Sequence, residues 1–375
     1  MAFELTKEQQ NELRTLTGRE NAIFHDVRED CFDLYGLCDP RSGGRFCRIP
    51  EEVAKATSEN VERLNYETAG GRVRFTTDAE YVAIVCKTSR MNKSANMTRI
   101  LACGFDLYID DKKIGGRTPH SYFVNPMAPP YTIKEGEYHG RIRLPEGEHS
   151  VTLYLPMYNS IDELYLGFPE GATLKAGLPY ENKKPILFYG SSITQGASAS
   201  RPGLAYTSMV TRRLNADHRN LGFAGSAKAE DAIVEYLAKQ EMCLFVQDYD
   251  HNAPNVEHLE KTHYKLYKAV RDAQPDLPIL LLSRPGFNTY NNKGILRSDD
   301  SIARRDVVID TYRRARADGD KRIWFIDGEG FFSGPDETEC TIDGIHPNDI
   351  GMLKMADSVH RVILRILNDV PFLKD

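Results

Sequence analysis

The stretch KPILFYGSSITQGAS, residues 184–198, carries an uninterrupted apolar run from Pro185 to Tyr189 that stops at Gly190. Strands covered on both faces of a parallel sheet read as continuous apolar runs of this length. Two serines follow, Ser191 and Ser192, and then a short segment closed by Gly196. A serine at a helix start is a natural N-cap, so Ser191 is expected to cap a helix that Ser192 enters. The unit is therefore a buried strand, a tight turn and a helix, with two hydroxyls at the strand's carboxyl end.

The same rhythm continues to the end of the chain. CLFVQDYD (243–250), PILLLSRP (278–285) and RIWFID (322–327) are further buried-strand runs, and HRNLGF (218–223) is a weaker one. Helical periodicity fills 203–215, 228–240, 256–273, 301–318 and 348–368. Strands alternating with helices imply a five-stranded parallel sheet with helices on both faces, an α/β fold. Ligands of such sheets sit beyond the carboxyl ends of the strands.

Upstream, between about 60 and 170, the period changes to two. GRVRFTTDAEYVAIVCKTS alternates apolar and polar residues with a turn at Asp78-Ala79. GFDLYIDDKKIGG reads as a hairpin through Asp110-Asp111, and GRIRLPEGEHSVTLYLP as a second hairpin around Pro145-Glu146-Gly147. Alternation with Gly, Pro and Asp punctuation implies an antiparallel β-sandwich. Asp106 and Tyr108, two apart on one strand, read as structural. EGATLKAGLPYENKK (170–184) is the expected boundary, giving a β domain over 1–180 and an α/β domain over 181–375. Residues 1–59 are partly irregular, with a helix expected over 6–16.

With 375 residues, of which 41% are hydrophobic, the chain can bury two cores. The net charge of −6 gives no footprint for nucleic acid or for an anionic membrane. No apolar window nears the ~18 residues of a membrane span. The opening residues have no signal-peptide core, and seven cysteines without CxxC spacing fit reduced thiols, so a cytoplasmic location is expected.

The strand ends carry the chemistry. In chain order they present Ser192, then Gly222 and Gly225, then Asp248, Asp250, His251 and Asn252, then Arg284, and finally Asp343 and His346. A serine needs a base to become a nucleophile, and the base needs an orienting partner. Ser192, His346 and Asp343 supply the three. A developing oxyanion needs fixed N–H donors, which a glycine amide and an asparagine side chain can provide. Asp327 also ends a strand, where an α/β-hydrolase would carry its acid, but Thr194 stands where that fold's G-x-S-x-G elbow requires glycine. His251, His258 and His263 lack a zinc-ligand spacing, and no metal is expected. Arg284 either contacts substrate or braces the site, and His251 and Asp250 stand beside it as candidate substrate contacts.

The blocks YGSSITQG, NLGFAG, DHNA and DGIHP resemble those of the SGNH, or GDSL-type, hydrolase superfamily, in order, over residues 184–360. The resemblance implies a flavodoxin-like α/β/α domain and assigns Ser192 as nucleophile, His346 as base and Asp343 as acid. It gives the oxyanion hole to the Ser192 amide, Gly225 and Asn252. Two departures are visible. Ser191 stands in place of the usual Asp, and Asp250-His251-Asn252 replaces G-x-N. GFDLYIDD resembles the G-x-D-L-Y motif of a jelly-roll-like sandwich preceding some GDSL-like esterases, among them carbohydrate acetylesterases. The implied function is a serine esterase removing a small acyl group, acetyl for preference, from a carbohydrate or other small hydroxylated substrate. No cofactor is implied. The alternatives are an acyltransferase with an alcohol acceptor and a sugar-binding protein with a relict site. The oligomeric state, a homo-oligomer included, is left open.

Overall fold

The computed structural model describes residues 3–92, 94–111, 120–127, 136–285 and 298–369. They form two compact units. The first comprises residues up to 48, 66–180 and 200–203, and the second 49–65, 181–199 and the remainder from 204.

The first unit holds two antiparallel sheets. One runs in the order Ala22–Asp26, Glu163–Pro169, Tyr81–Lys87, Glu137–Arg143. The other runs Leu174–Ala176, Arg72–Thr77, His149–Tyr154, Phe105–Asp111, His120–Met127, with Asp33–Tyr35 also paired to Arg72–Thr77. One core gathers residues of both, such as Val73, Phe75, Leu107 and Leu153 with Val82, Ile84, Leu164 and Leu166. The helix expected at 6–16 spans Lys7–Thr17 and begins with a capping box between Thr6 and Gln9.

The second hairpin expected from the sequence does not form. Glu137–Arg143 pairs with Tyr81–Lys87, whereas His149–Tyr154 pairs with Arg72–Thr77 and Phe105–Asp111. The Pro145-Glu146-Gly147 turn therefore carries the chain between the sheets. Alternation reports which face of a strand is buried and says nothing of its neighbour. Phe105–Asp111 does pair with His120–Met127, through Asp111 opposite His120, so that hairpin's turn lies outside the described residues. Asp106 is fully buried and accepts from Arg201 Nη1 (2.8 and 3.0 Å) and Gly203 N (2.8 Å), while Tyr108 Oη accepts from Arg201 at 2.6 Å. These two motif residues thus fasten the 200–203 segment within the same unit.

The second unit is built on a parallel sheet of five strands. In chain order these are Asn182–Gly190, Ala216–Gly222, Leu244–Asp248, Ile279–Leu282 and Ile323–Ile326, and in space they stand 2-1-3-4-5. That is the flavodoxin-like order. The first strand is buried on both sides. Leu187 and Tyr189 face a core shared with Ile233, Leu237, Leu266, Val270 and Val308, whereas Phe188 meets Tyr206 edge to face at 5.9 Å. Residues 49–65 join this core through Ile49, Ala54, Val61 and Leu64, on the short helices Glu51–Thr57 and Glu59–Asn65. A single cut near residue 180 therefore leaves out two exchanges of chain, 49–65 and 200–203. No helix of the described residues is long and apolar enough to cross a membrane.

Candidate active site

Gly190 ends the first strand against its neighbour: a Cβ there would collide with the Asp248 carbonyl oxygen and with Thr194 Oγ1. The chain turns directly into the helix Ser192–Gln195. Ser191 caps that helix, its extended backbone (φ −83°, ψ −167°) letting Oγ accept from Ile193 N at 3.1 Å. Ser191 is 1% exposed, whereas Ser192 is half-buried.

Ser192 Oγ lies 3.0 Å from His346 Nε2, and His346 Nδ1 lies 2.7 Å from Asp343 Oδ2. Asp343 Oδ1 accepts the amides of His346 (2.8 Å) and Ile345 (3.0 Å), which folds the DGIHP loop around its own carboxylate. Partial burial pushes the Asp343 carboxyl up, but these amides and the imidazole outweigh it and hold the group below the ordinary carboxylate range. The chain Asp343–His346–Ser192 is thus assembled from residues 154 positions apart in sequence. Asp327, the rejected alternative, caps a turn by accepting from Glu329 N and lies 3.6 Å from Arg305.

Gly225 has φ +68°, a left-handed conformation that suits glycine. Its N–H meets no acceptor among the described residues. Ala224 N donates to Gln195 Oε1 at 3.0 Å, which ties this loop to the Ser192 helix. Asn252 Nδ2 donates to Phe223 O at 2.8 Å, tying it also to the third strand's end. Gly225, Asn252 and the Ser192 helix are therefore gathered around one loop.

Against the Ser192–Gln195 helix lies Asp248, 4% exposed, a strand-end residue with no role assigned from its sequence position. Its Oδ2 accepts from Thr194 Oγ1 (2.8 Å) and Tyr206 Oη (2.7 Å), and its carbonyl accepts Ser191 N. Burial pushes its carboxyl up to about 7, against the pull of the Tyr206 hydroxyl. Asn220, also buried, donates to Thr194 O and Thr207 Oγ1 and accepts Gly222 N. Asn220 opens the NLGFAG block, whereas Asp248 is one polar side chain at the end of an apolar run and carries no local signal.

Of the candidate substrate contacts, Asp250 and Arg284 are both buried. Asp250 Oδ2 accepts Arg284 N at 2.9 Å, and Arg284 Nη1 donates to Asp300 at 3.0 Å. Burial raises the Asp250 carboxyl to about 6 despite Arg284 and Arg304. His251 is half-buried beside them. His263 is buried within the sheet's helical layer, stacked on Tyr249, and His258 Nε2 bonds to Lys228 O.

Comparison with known proteins places this geometry in a class. Residues 183–364 match the GDSL-like lipase/acylhydrolase family, and residues 22–174 match the GxDLY family, the N-terminus of SGNH hydrolase-type esterases. Residues 183–364 thus carry the pattern of the GDSL-like lipase/acylhydrolase family, with the GxDLY region ahead of them. A solved Bacteroides ovatus protein described as a GDSL-like lipase is similar over 93% of this chain and 98% of its own, with 27% identity and a TM-score of 0.81. A salicylyl-acyltransferase from a tetracycline biosynthetic pathway shares the fold at 20% identity, over 92% and 98% of the two chains, TM-score 0.68. A family two carbohydrate esterase from Clostridium thermocellum does so at 15% identity, over 80% and 93%, TM-score 0.56. A comparison with curated protein sequences returns no match.

Proposed function

We propose that this protein is a serine esterase that removes a small acyl group, acetyl for preference, from a carbohydrate or other small hydroxylated substrate. The observation that carries the reading is the hydrogen-bonded chain from Asp343 through His346 to Ser192. His346 Nε2 takes the Ser192 proton as Oγ attacks the ester carbonyl carbon, and Asp343 keeps the other ring proton on Nδ1. The oxyanion is held by the Gly225 and Ser192 amides and by Asn252 Nδ2. His346 returns its proton to the leaving alcohol, and water, deprotonated by the same base, resolves the acyl-enzyme. These steps require no metal or organic cofactor.

The carbohydrate substrate is supported by the sandwich-plus-hydrolase fold shared with the carbohydrate esterase, and the charge of −6 speaks against nucleic acid as a partner. In this reading the substrate is a small-molecule or oligosaccharide ester in the cytoplasm, with no membrane partner. Mass spectrometry of acetylated oligosaccharides before and after treatment should show acetyl loss, and p-nitrophenyl esters from acetate to octanoate should be hydrolysed fastest at acetate. A preference for octanoate would overturn the small-acyl assignment. Transfer to an alcohol is the second reading, favoured by the fold shared with the salicylyl-acyltransferase. Product analysis in mixed water and alcohol separates it from hydrolysis.

A further inference from the structure

The asparagine of the proposed oxyanion hole sits on a single turn of 3-10 helix, Asp250–Asn252. That turn is too short to fix its own geometry, since its one internal restraint of note is Asn252 N donating to Tyr249 O at 2.9 Å. The rest comes from outside the loop. Arg304, on the helix Ser298–Ala317 and 6% exposed, donates Nη1 to Asp250 O and to Ala253 O, each at 2.8 Å. The two carbonyls lie on either side of His251-Asn252, so one guanidinium nitrogen closes the turn that bears the asparagine. Arg304 is itself aimed by Asp300, whose Oδ2 accepts its Nε at 2.8 Å and Arg284 Nη1 at 3.0 Å. Asp250 Oδ2 in turn accepts Arg284 N.

A buried cation is a poor way to gain stability, because desolvation consumes most of the attraction. A rigid, planar guanidinium is, by contrast, a good way to hold two carbonyls at fixed separation. Oxyanion donors must be set in place before the charge develops, and a displacement of about 1 Å can cost about 10²-fold in rate. We infer that Arg304 is a positioning residue for Asn252, holding the Asp250–Ala253 turn so that the Asn252 amide meets the oxyanion. The inference rests on the esterase reading above, and it adds a residue that touches neither substrate nor the Ser192–His346–Asp343 chain.

The test is a double-mutant cycle on p-nitrophenyl acetate hydrolysis with wild type, Arg304→Ala, Asn252→Ala and the double variant. Arg304→Ala should lower kcat by about 10- to 100-fold with KM unchanged. In the Asn252→Ala background the same change should cost less than about 2-fold, since the residue it positions is gone. Arg304→Lys, which keeps the charge and one carbonyl contact, should fall between wild type and Arg304→Ala, and serves if the alanine variant does not fold. Full additivity, with equal fold-losses in both backgrounds, would overturn the inference and leave Arg304 a fold residue. An unchanged kcat in Arg304→Lys would overturn it as well. If Asn252→Ala alone leaves kcat intact, the oxyanion assignment itself fails, and Ser192→Ala then reports separately on the esterase reading.

Discussion

Asp343 grips His346 at two points, its Oδ1 accepting the His346 backbone N–H at 2.8 Å and its Oδ2 meeting Nδ1 at 2.7 Å. The backbone contact fixes the carboxylate, and the fixed carboxylate in turn holds the ring that faces Ser192. The carboxyl, held below its ordinary range, stays ionised well into acid.

An amide in its place would present N–H₂ or a weaker acceptor to Nδ1 and favour the wrong tautomer. Asp343→Asn should therefore lower kcat/KM for p-nitrophenyl acetate by about 10²- to 10⁴-fold, with KM little changed. Steady-state kinetics on the folded variant check this; a loss under about 5-fold would mean that Asp343 does not orient the base.

Asn252→Ala removes the side-chain donor proposed for the oxyanion hole and should lower kcat by about 10²- to 10³-fold without raising KM. A rise in KM at constant kcat would instead mark Asn252 as a ground-state binding contact.

Asp248 gives the pH prediction. Its folded carboxyl titrates at about 7 against an ordinary 3.8, so between these values the folded protein keeps a proton that the unfolded chain has lost. Stability from this group is full below 3.8 and declines as pH rises toward about 7. Asn at 248 has no such titration, yet its Oδ1 can still accept from Tyr206 and Thr194. Thermal melts at pH 5, 6, 7 and 8 should show a steeper fall of Tm with pH for wild type than for Asp248→Asn. Parallel curves would contradict the buried, proton-binding carboxyl.

Gly190→Ala tests the turn that delivers Ser192. A methyl group there meets the Asp248 backbone and Thr194, so the variant should lose about 1–3 kcal/mol in urea unfolding. Gly330→Ala, where a Cβ meets nothing within 4 Å, should stay within about 0.5 kcal/mol of wild type.

How much of this was legible in the sequence depends on the range of the interaction. The apolar runs 185–190 and 278–285 marked buried strands because burial on both faces leaves no polar alternation, whereas 322–327, equally apolar, forms an edge strand only partly buried beyond Ile323. DGIHP was legible because Asp343 and His346 act on each other within one loop. The turn at Pro145-Glu146-Gly147 was not, because a turn signal does not say whether the next strand stays in the same sheet. Ile49, Ala54, Val61 and Leu64 were likewise visible as apolar, but nothing local says which of two cores they enter. Gln195 and Arg304 escaped notice, and Asp248 was seen without a role, for a third reason. Each is a polar side chain satisfied by a distant backbone or hydroxyl, Arg304 from 54 residues away, and such pairing leaves no periodic trace.

In this mechanism the Ser192 Oγ is the attacking atom. The most direct measurement is the rate of nitrophenol release from p-nitrophenyl acetate by wild type and by Ser192→Ala, with circular dichroism confirming that both are folded. Because serine and histidine act as one unit, removing the hydroxyl should lower kcat by at least about 10³-fold. Equal rates for the two proteins would contradict the account.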